Sequence, residues 1–157
     1  MISKRWITMS VIITLLMVSI SLLGRTFYSN SQTFSCSGQS NIQINDGEYI
    51  KANIKINVQN KNLSMTMKGF YHQKDGSMSK IYRQGTYQFN RLNNELYQAT
   101  LVMIQPIFTD ESPEHLNNHI FGIKTRESRN FRMKKIHDGL LVFGSEYAWI
   151  YSCKTEV

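Results

Sequence analysis

Residues 50–59 read Ile-Lys-Ala-Asn-Ile-Lys-Ile-Asn-Val-Gln. Ile50, Ala52, Ile54, Ile56 and Val58 alternate without a break against Lys51, Asn53, Lys55, Asn57 and Gln59. Successive side chains of a strand leave on opposite faces, so this period of two predicts a strand with one dry face and one wet face. Leu63, Met65 and Met67 continue the pattern against Ser64, Thr66 and Lys68. The runs Lys80–Asn90, Glu95–Ile104, Asn130–Ile136, Leu140–Phe143 and Glu146–Cys153 predict further strands. Between them, Asp-Gly recurs at Asp46-Gly47, Asp75-Gly76 and Asp138-Gly139, and that dipeptide supplies the positive φ of tight hairpins. Asn60-Lys61-Asn62 and Asn93-Asn94 are two more turn candidates. Only Thr109–Glu114 has the caps, early acids and Pro113 of a helix start, leading into His115–Asn118.

Composition narrows the class. Of 157 residues, 41% are hydrophobic and 18% charged, which excludes a disordered chain. Nine Gly and two Pro exclude collagen-like and linker-like composition, and two Cys cannot build a Cys₄ zinc site. The formal charge is +7.

The strongest localising signal is the start. Trp6–Leu23 is an uncharged run of eighteen residues, preceded by Lys4 and Arg5. As a helix it would reach roughly 27 Å, close to the thickness of a bilayer core. The basic flank predicts a cytoplasmic N-terminus, and Trp6, Phe27 and Tyr28 suit the interfaces. The run is longer than the apolar part of a cleaved signal peptide, and the small-residue site Ser29-Asn30-Ser31 lies well past it, so an uncleaved anchor is expected. The expected organisation is a cytoplasmic N-terminus (1–5), a transmembrane anchor (6–23), a tether (24–33) and a periplasmic β domain (34–157), in a single-pass inner-membrane protein. Residues 26–157 then carry 15 basic and 11 acidic groups, a net +4 that a solvated surface accommodates. With no aromatic-basic signature in the sequence, direct nucleic-acid binding is not expected.

Export makes the two cysteines meaningful. Cys36 and Cys153 lie in similar settings, Phe34-Ser35-Cys36 and Tyr151-Ser152-Cys153, which predicts a disulfide between first and last strands lying side by side. The fold class predicted is therefore mainly β: an N-terminal transmembrane helix, then a small antiparallel β-barrel or sandwich with one short helix and one disulfide.

Candidate sites follow from residue type. Leu101, Val102, Met103 and Ile104 form an unbroken apolar run, so that strand needs cover on both faces, from the small helix or from a partner. Ser10, Thr14, Ser21 and Gly24 form a small-residue stripe on the anchor, suited to close helix contact, although Ser and Thr also bond back to their own helix. Imidazole is the side chain that gains charge in mild acid, so His72, His115, His119 and His137 are candidate acid sensors. Glu111, His115 and His119 share helical spacing, but H-x-x-x-H without an adjacent Glu is a weak metal signal, and no metal or other cofactor is expected. Met65, Met67, Met78, Met103 and Met133 suit a core or an adaptable cavity. No nucleophile elbow, P-loop or zinc-protease motif occurs, so no catalytic residues are assigned and an enzyme is not expected.

Lys4-Arg5, the Trp6–Leu23 span, Phe34-Ser35-Cys36-Ser37-Gly38 and Tyr151-Ser152-Cys153 together resemble the membrane-anchored accessory proteins of ToxR-like winged-helix activators, the PsaF/MyfF, FidL-like and ToxS-like group. The likeness lies in layout over the whole chain. It implies a heteromeric complex with a membrane-bound ToxR-like activator that the protein stabilises or tunes, with control of fibrillar adhesin genes. Two other functions fit the same residues: a lipocalin-like periplasmic binder of small amphipathic ligands, if a barrel encloses an apolar cavity, and a fibre-assembly factor.

Overall fold

Alternation closes the sheet on itself. The structure, a computed structural model, describes residues 12–21, 33–136, 139–145 and 147–155, and the chain divides at Gln32/Thr33 into two units. In the first unit, residues 12–21 form helix α1 with every side chain exposed. Among the described residues no helix is long and apolar enough to cross a membrane, and the remainder of Trp6–Leu23 lies outside them.

The second unit is a closed eight-stranded antiparallel barrel in simple meander order. Its strands are β1 (Thr33–Asn45), β2 (Glu48–Gln59), β3 (Asn62–His72), β4 (Met78–Arg91), β5 (Leu96–Pro106), β6 (Ser128–Lys135), β7 (Leu140–Gly144) and β8 (Trp149–Thr155). The expected choice between barrel and sandwich thus resolves to a barrel. Hairpin chemistry is as read: Gly47, Gly76 and Gly139 adopt φ of 84°, 85° and 74°, and Asn60 a φ of 57°. At the β4–β5 turn, Asn93 Oδ1 accepts from the amides of Glu95 (3.1 Å) and Leu96 (2.9 Å).

Ile50, Ile54, Ile56 and Val58 of β2 all point into the barrel, with Met67 from β3 and Ile81 from β4. Each such buried aliphatic side chain contributes roughly 1.5–3 kcal/mol relative to exposure. Inward aromatic rings bridge the later strands: Phe89 stacks on Tyr97 at 4.9 Å, and contacts run through Phe131 and Phe143 to Tyr151. Met67 and Met133 are core and Met65 packs against it, whereas Met78 and Met103 are exposed.

The last strand returns to the first. Register pairs Cys36 with Thr155 and Ser37 with Lys154, and the Cys36–Cys153 disulfide ties this seam, with Cα atoms 5.5 Å apart. Gly38 makes the approach feasible, since a Cβ there would lie 2.7 Å from both the Ser152 carbonyl oxygen and the Tyr151 hydroxyl.

The helical interruption differs from expectation. It is a 3-10 turn (Glu114–Leu116) running into α2 (Asn117–Phe121), so it reaches beyond Asn118 and includes His119. The extra turn forms because Leu116, Ile120 and Phe121 recur on one face and are buried, and Gly122, at φ 74°, ends it in the left-handed conformation.

A candidate ligand cavity under the helix

The packing of α2 follows from two residues of β4. Gly85 points inward, and a Cβ there would meet the Phe121 ring at 2.7 Å, so the missing side chain is the seat for that ring. Two positions on, the buried Tyr87 hydroxyl donates to the Phe121 carbonyl at 3.2 Å. Burial pushes the Tyr87 phenol well above its ordinary pKa, and pushes that of Tyr151 up to about 12, so both stay neutral donors.

Beneath α2 the barrel holds a cavity of about 390 Å³. Ile42, Ile54, Leu63, Tyr87, Phe121 and Phe143 are among the residues lining it, contributed by β1, β2, β3, β4, α2 and β7. Arg129 is the one charged side chain among the described lining residues, His119 lines it too, and no carboxylate does. Volume and lining fall in the range of sites that take small ligands, about 300–1,000 Å³.

A buried ion pair locks the segment carrying α2. Arg83 points inward from β4 and is only 3% exposed. Its Nε donates to Asp110 Oδ2 at 2.8 Å, its Nη1 to Asn117 Oδ1 at 2.6 Å, and its Nη2 to the Ser112 carbonyl. Asp110 Oδ1 in turn accepts from the Tyr82 amide and the Ser112 hydroxyl, both at 2.8 Å. One guanidinium thus reaches the β5–β6 connection at three points.

The predicted partner strand needs revision. Leu101 is fully buried, while Val102 and Met103 are 45% and 48% exposed. The reason is a β-bulge: Thr86 pairs with Met103 and Tyr87 with Leu101, leaving Val102 as the extra residue. Two neighbours therefore face out together, and Ile104 turns back to pack on the core. The end of the strand is apolar on both faces, as read, but with its phase shifted: Leu101 and Ile104 face the core, Val102 and Met103 face out. Leu101 is core and not available to a partner.

The other candidate residues separate. His72 stacks on Tyr49 with ring centroids 4.3 Å apart, and His115 and His119 are exposed on the helical segment. Glu111 lies 3.8 Å from Lys80. Among the described residues, no three His, Cys, Asp or Glu side chains gather as a metal site. In α1, Ser21 donates back to the carbonyls of Met17 (3.0 Å) and Val18 (2.9 Å), the local alternative to a stripe contact. Thr14 lies in the same helix, while His137, Ser10 and Gly24 lie outside the described residues.

No protein-family model matches this chain, and no curated protein does so significantly. Its function rests on its own geometry.

Arg83, Asp110 and Gly85 were not singled out from the sequence. The signal was there for Arg83: Ile81, Arg83, Gly85, Tyr87 and Phe89 share one period-two face, so an arginine stands among inward residues and implies a buried carboxylate.

Proposed function

We propose that the β domain is a binding module that takes one small amphipathic molecule into the barrel, and that the Trp6–Leu23 run anchors it to a membrane. The observation that carries this reading is the apolar cavity of about 390 Å³ under α2. Its lining suits an apolar body, and Arg129 with His119 suits a polar or anionic end. The full-length protein in lipid nanodiscs, titrated with anilinonaphthalene sulfonate, is expected to give saturable fluorescence enhancement. Ala99→Phe, which fills the lining from β5, is expected to weaken that signal at least about tenfold, against an overpacking cost of roughly 1–3 kcal/mol. An Ala99→Phe signal equal to wild type would rule the cavity out as the site.

A second reading has its own support. The bulge on β5 sets Val102 and Met103 side by side on the outer surface, and the layout resembles accessory proteins of ToxR-like activators. A protein anchored beside its partner gains effective concentration, so a modest apolar contact suffices. Val102→Asp should abolish co-purification with such an activator from membranes while leaving the barrel folded, because a desolvated charge costs several kcal/mol. Undiminished co-purification would exclude this surface. The two readings are compatible, since occupancy of the barrel would bias any complex whose partner distinguishes filled from empty.

The anchor carries a test of its own. A reporter fused after Val157 is expected to be active only outside the cytoplasm, with Met1–Leu23 kept in the mature protein. A mature N-terminus beyond Leu23 would replace the anchor with a cleaved leader.

A further inference from the structure

The outer surface of β1–β4 carries a feature that the cavity reading does not use. A groove of about 720 Å³ crosses these four strands. Lys51, Lys68 and Lys80 line it with Asn53, Phe70 and Tyr82. Gly69 and Ala52 line it too, and β2 and β3 pinch together there: a Cβ on Gly69 would lie 2.2 Å from the Lys51 carbonyl oxygen and 2.5 Å from Ala52 Cα. Only glycine permits that approach.

Three properties of this groove point to one kind of ligand. First, its charge is one-sided. No carboxylate lines it, and no outward position of β2 from Tyr49 to Gln59, of β3 from Asn62 to Phe70, or of β4 from Lys80 to Gln88 is acidic. Glu111, 3.8 Å from Lys80, flanks one end. Second, aromatic faces stand beside the cations. Phe70 is 46% exposed although its strand is paired on both sides there, and the Lys68 ammonium lies 5.3 Å from the centroid of the Tyr82 ring. Third, the remaining polar groups include side-chain amides from Gln39, Asn41 and Asn53, each offering a donor and an acceptor together.

We infer that this groove binds an acidic oligosaccharide, a short chain of carboxylate-bearing sugars. The ammonium groups match carboxylates, the amides match paired hydroxyls, and the Phe70 and Tyr82 faces match the apolar face of a sugar ring. An acidic polypeptide fits less well. Through the groove β2 and β3 are paired on both sides, so a peptide could add as a strand only at β1 past Ser37, away from Lys68 and Lys80 on β3 and β4. The volume lies within the range of small-ligand sites, about 300–1,000 Å³. The inference is independent of the interior cavity.

The test is a calorimetric titration of the full-length protein in lipid nanodiscs with tetragalacturonate, with maltotetraose as the uncharged counterpart and hexaglutamate as the peptide counterpart. Saturable binding of tetragalacturonate is expected, with maltotetraose roughly tenfold weaker or worse. Lys68→Gln and Phe70→Ala should each weaken binding by roughly tenfold, with the melting temperature held, since both side chains are exposed. Lys51→Gln provides a third variant on a neighbouring strand. No saturable binding, or equal affinity in all three variants, overturns the inference. Hexaglutamate binding as tightly as the sugar overturns it as well, and assigns the groove to an acidic polypeptide.

Discussion

Asp110→Ala should cost the barrel roughly 3–5 kcal/mol, read as a fall in the urea midpoint, because it strands the Arg83 guanidinium in the interior without its carboxylate. Both side chains of this pair are only 4% exposed, so water cannot take over the lost partner. The substitution also orphans the Tyr82 amide and the Ser112 hydroxyl, which both rely on Asp110 Oδ1. A domain of this size has about 5–15 kcal/mol in total, so the variant should be partly unfolded at mild denaturant. The double variant Arg83→Met with Asp110→Asn removes both charges and keeps an acceptor for Tyr82. It should recover most of the loss, since a buried ion pair is often no better than an apolar replacement. An Asp110→Ala midpoint matching wild type would show that the pair is not the lock on the α2 segment.

Removing the disulfide should be as severe. Cys36 and Cys153 are 117 positions apart, and closing a loop of that length stabilises by about 4–5 kcal/mol in the chain-entropy model. The bond also sits where the ladder is thinnest: β1 and β8 register at Cys36↔Thr155 and Ser37↔Lys154, whereas β1 and β2 pair from Thr33↔Gln59 to Asn45↔Glu48. Cys36→Ser should lower both the urea midpoint and the amount of protein recovered, and Cys36→Ser with Cys153→Ser should be no worse than the single variant. Full stability in the reduced protein would mean that the seam holds by packing alone.

The fold was legible wherever the two faces of a strand differ in polarity. In β2 they differ at every position, and the Asp-Gly pairs mark the hairpins on chemistry that is purely local. β1 was harder to read past Cys36, because its inward positions include Gly38 and Ser40, too small or polar to stand out from Ser37, Gln39 and Asn41. Arg83 escaped for the opposite reason. A charged residue reads as outward until a partner 27 positions away is known. The bulge at Val102 depends on the register with β4, which no single strand encodes, so Leu101 and Val102 could not be sorted in advance. Cavity and groove each draw side chains from several strands, and such assemblies become visible only after closure.

The meander order also dictates a sequence of assembly. Every pairing except one joins neighbours along the chain; the exception is β1 with β8. As the polypeptide is made, each hairpin can form as soon as its second strand appears, and short loops close quickly. The strand that completes the circle is also the last of the eight to be synthesised. Until then β1 and β7 each present an unpaired edge, a template for other chains. The vulnerable species is therefore a nearly finished open sheet, and its lifetime depends on how fast the final seven residues of ordered strand, Trp149–Thr155, find β1. Truncations that remove β8 should leave that open sheet as the end state, with its dangers fixed in place rather than passed through.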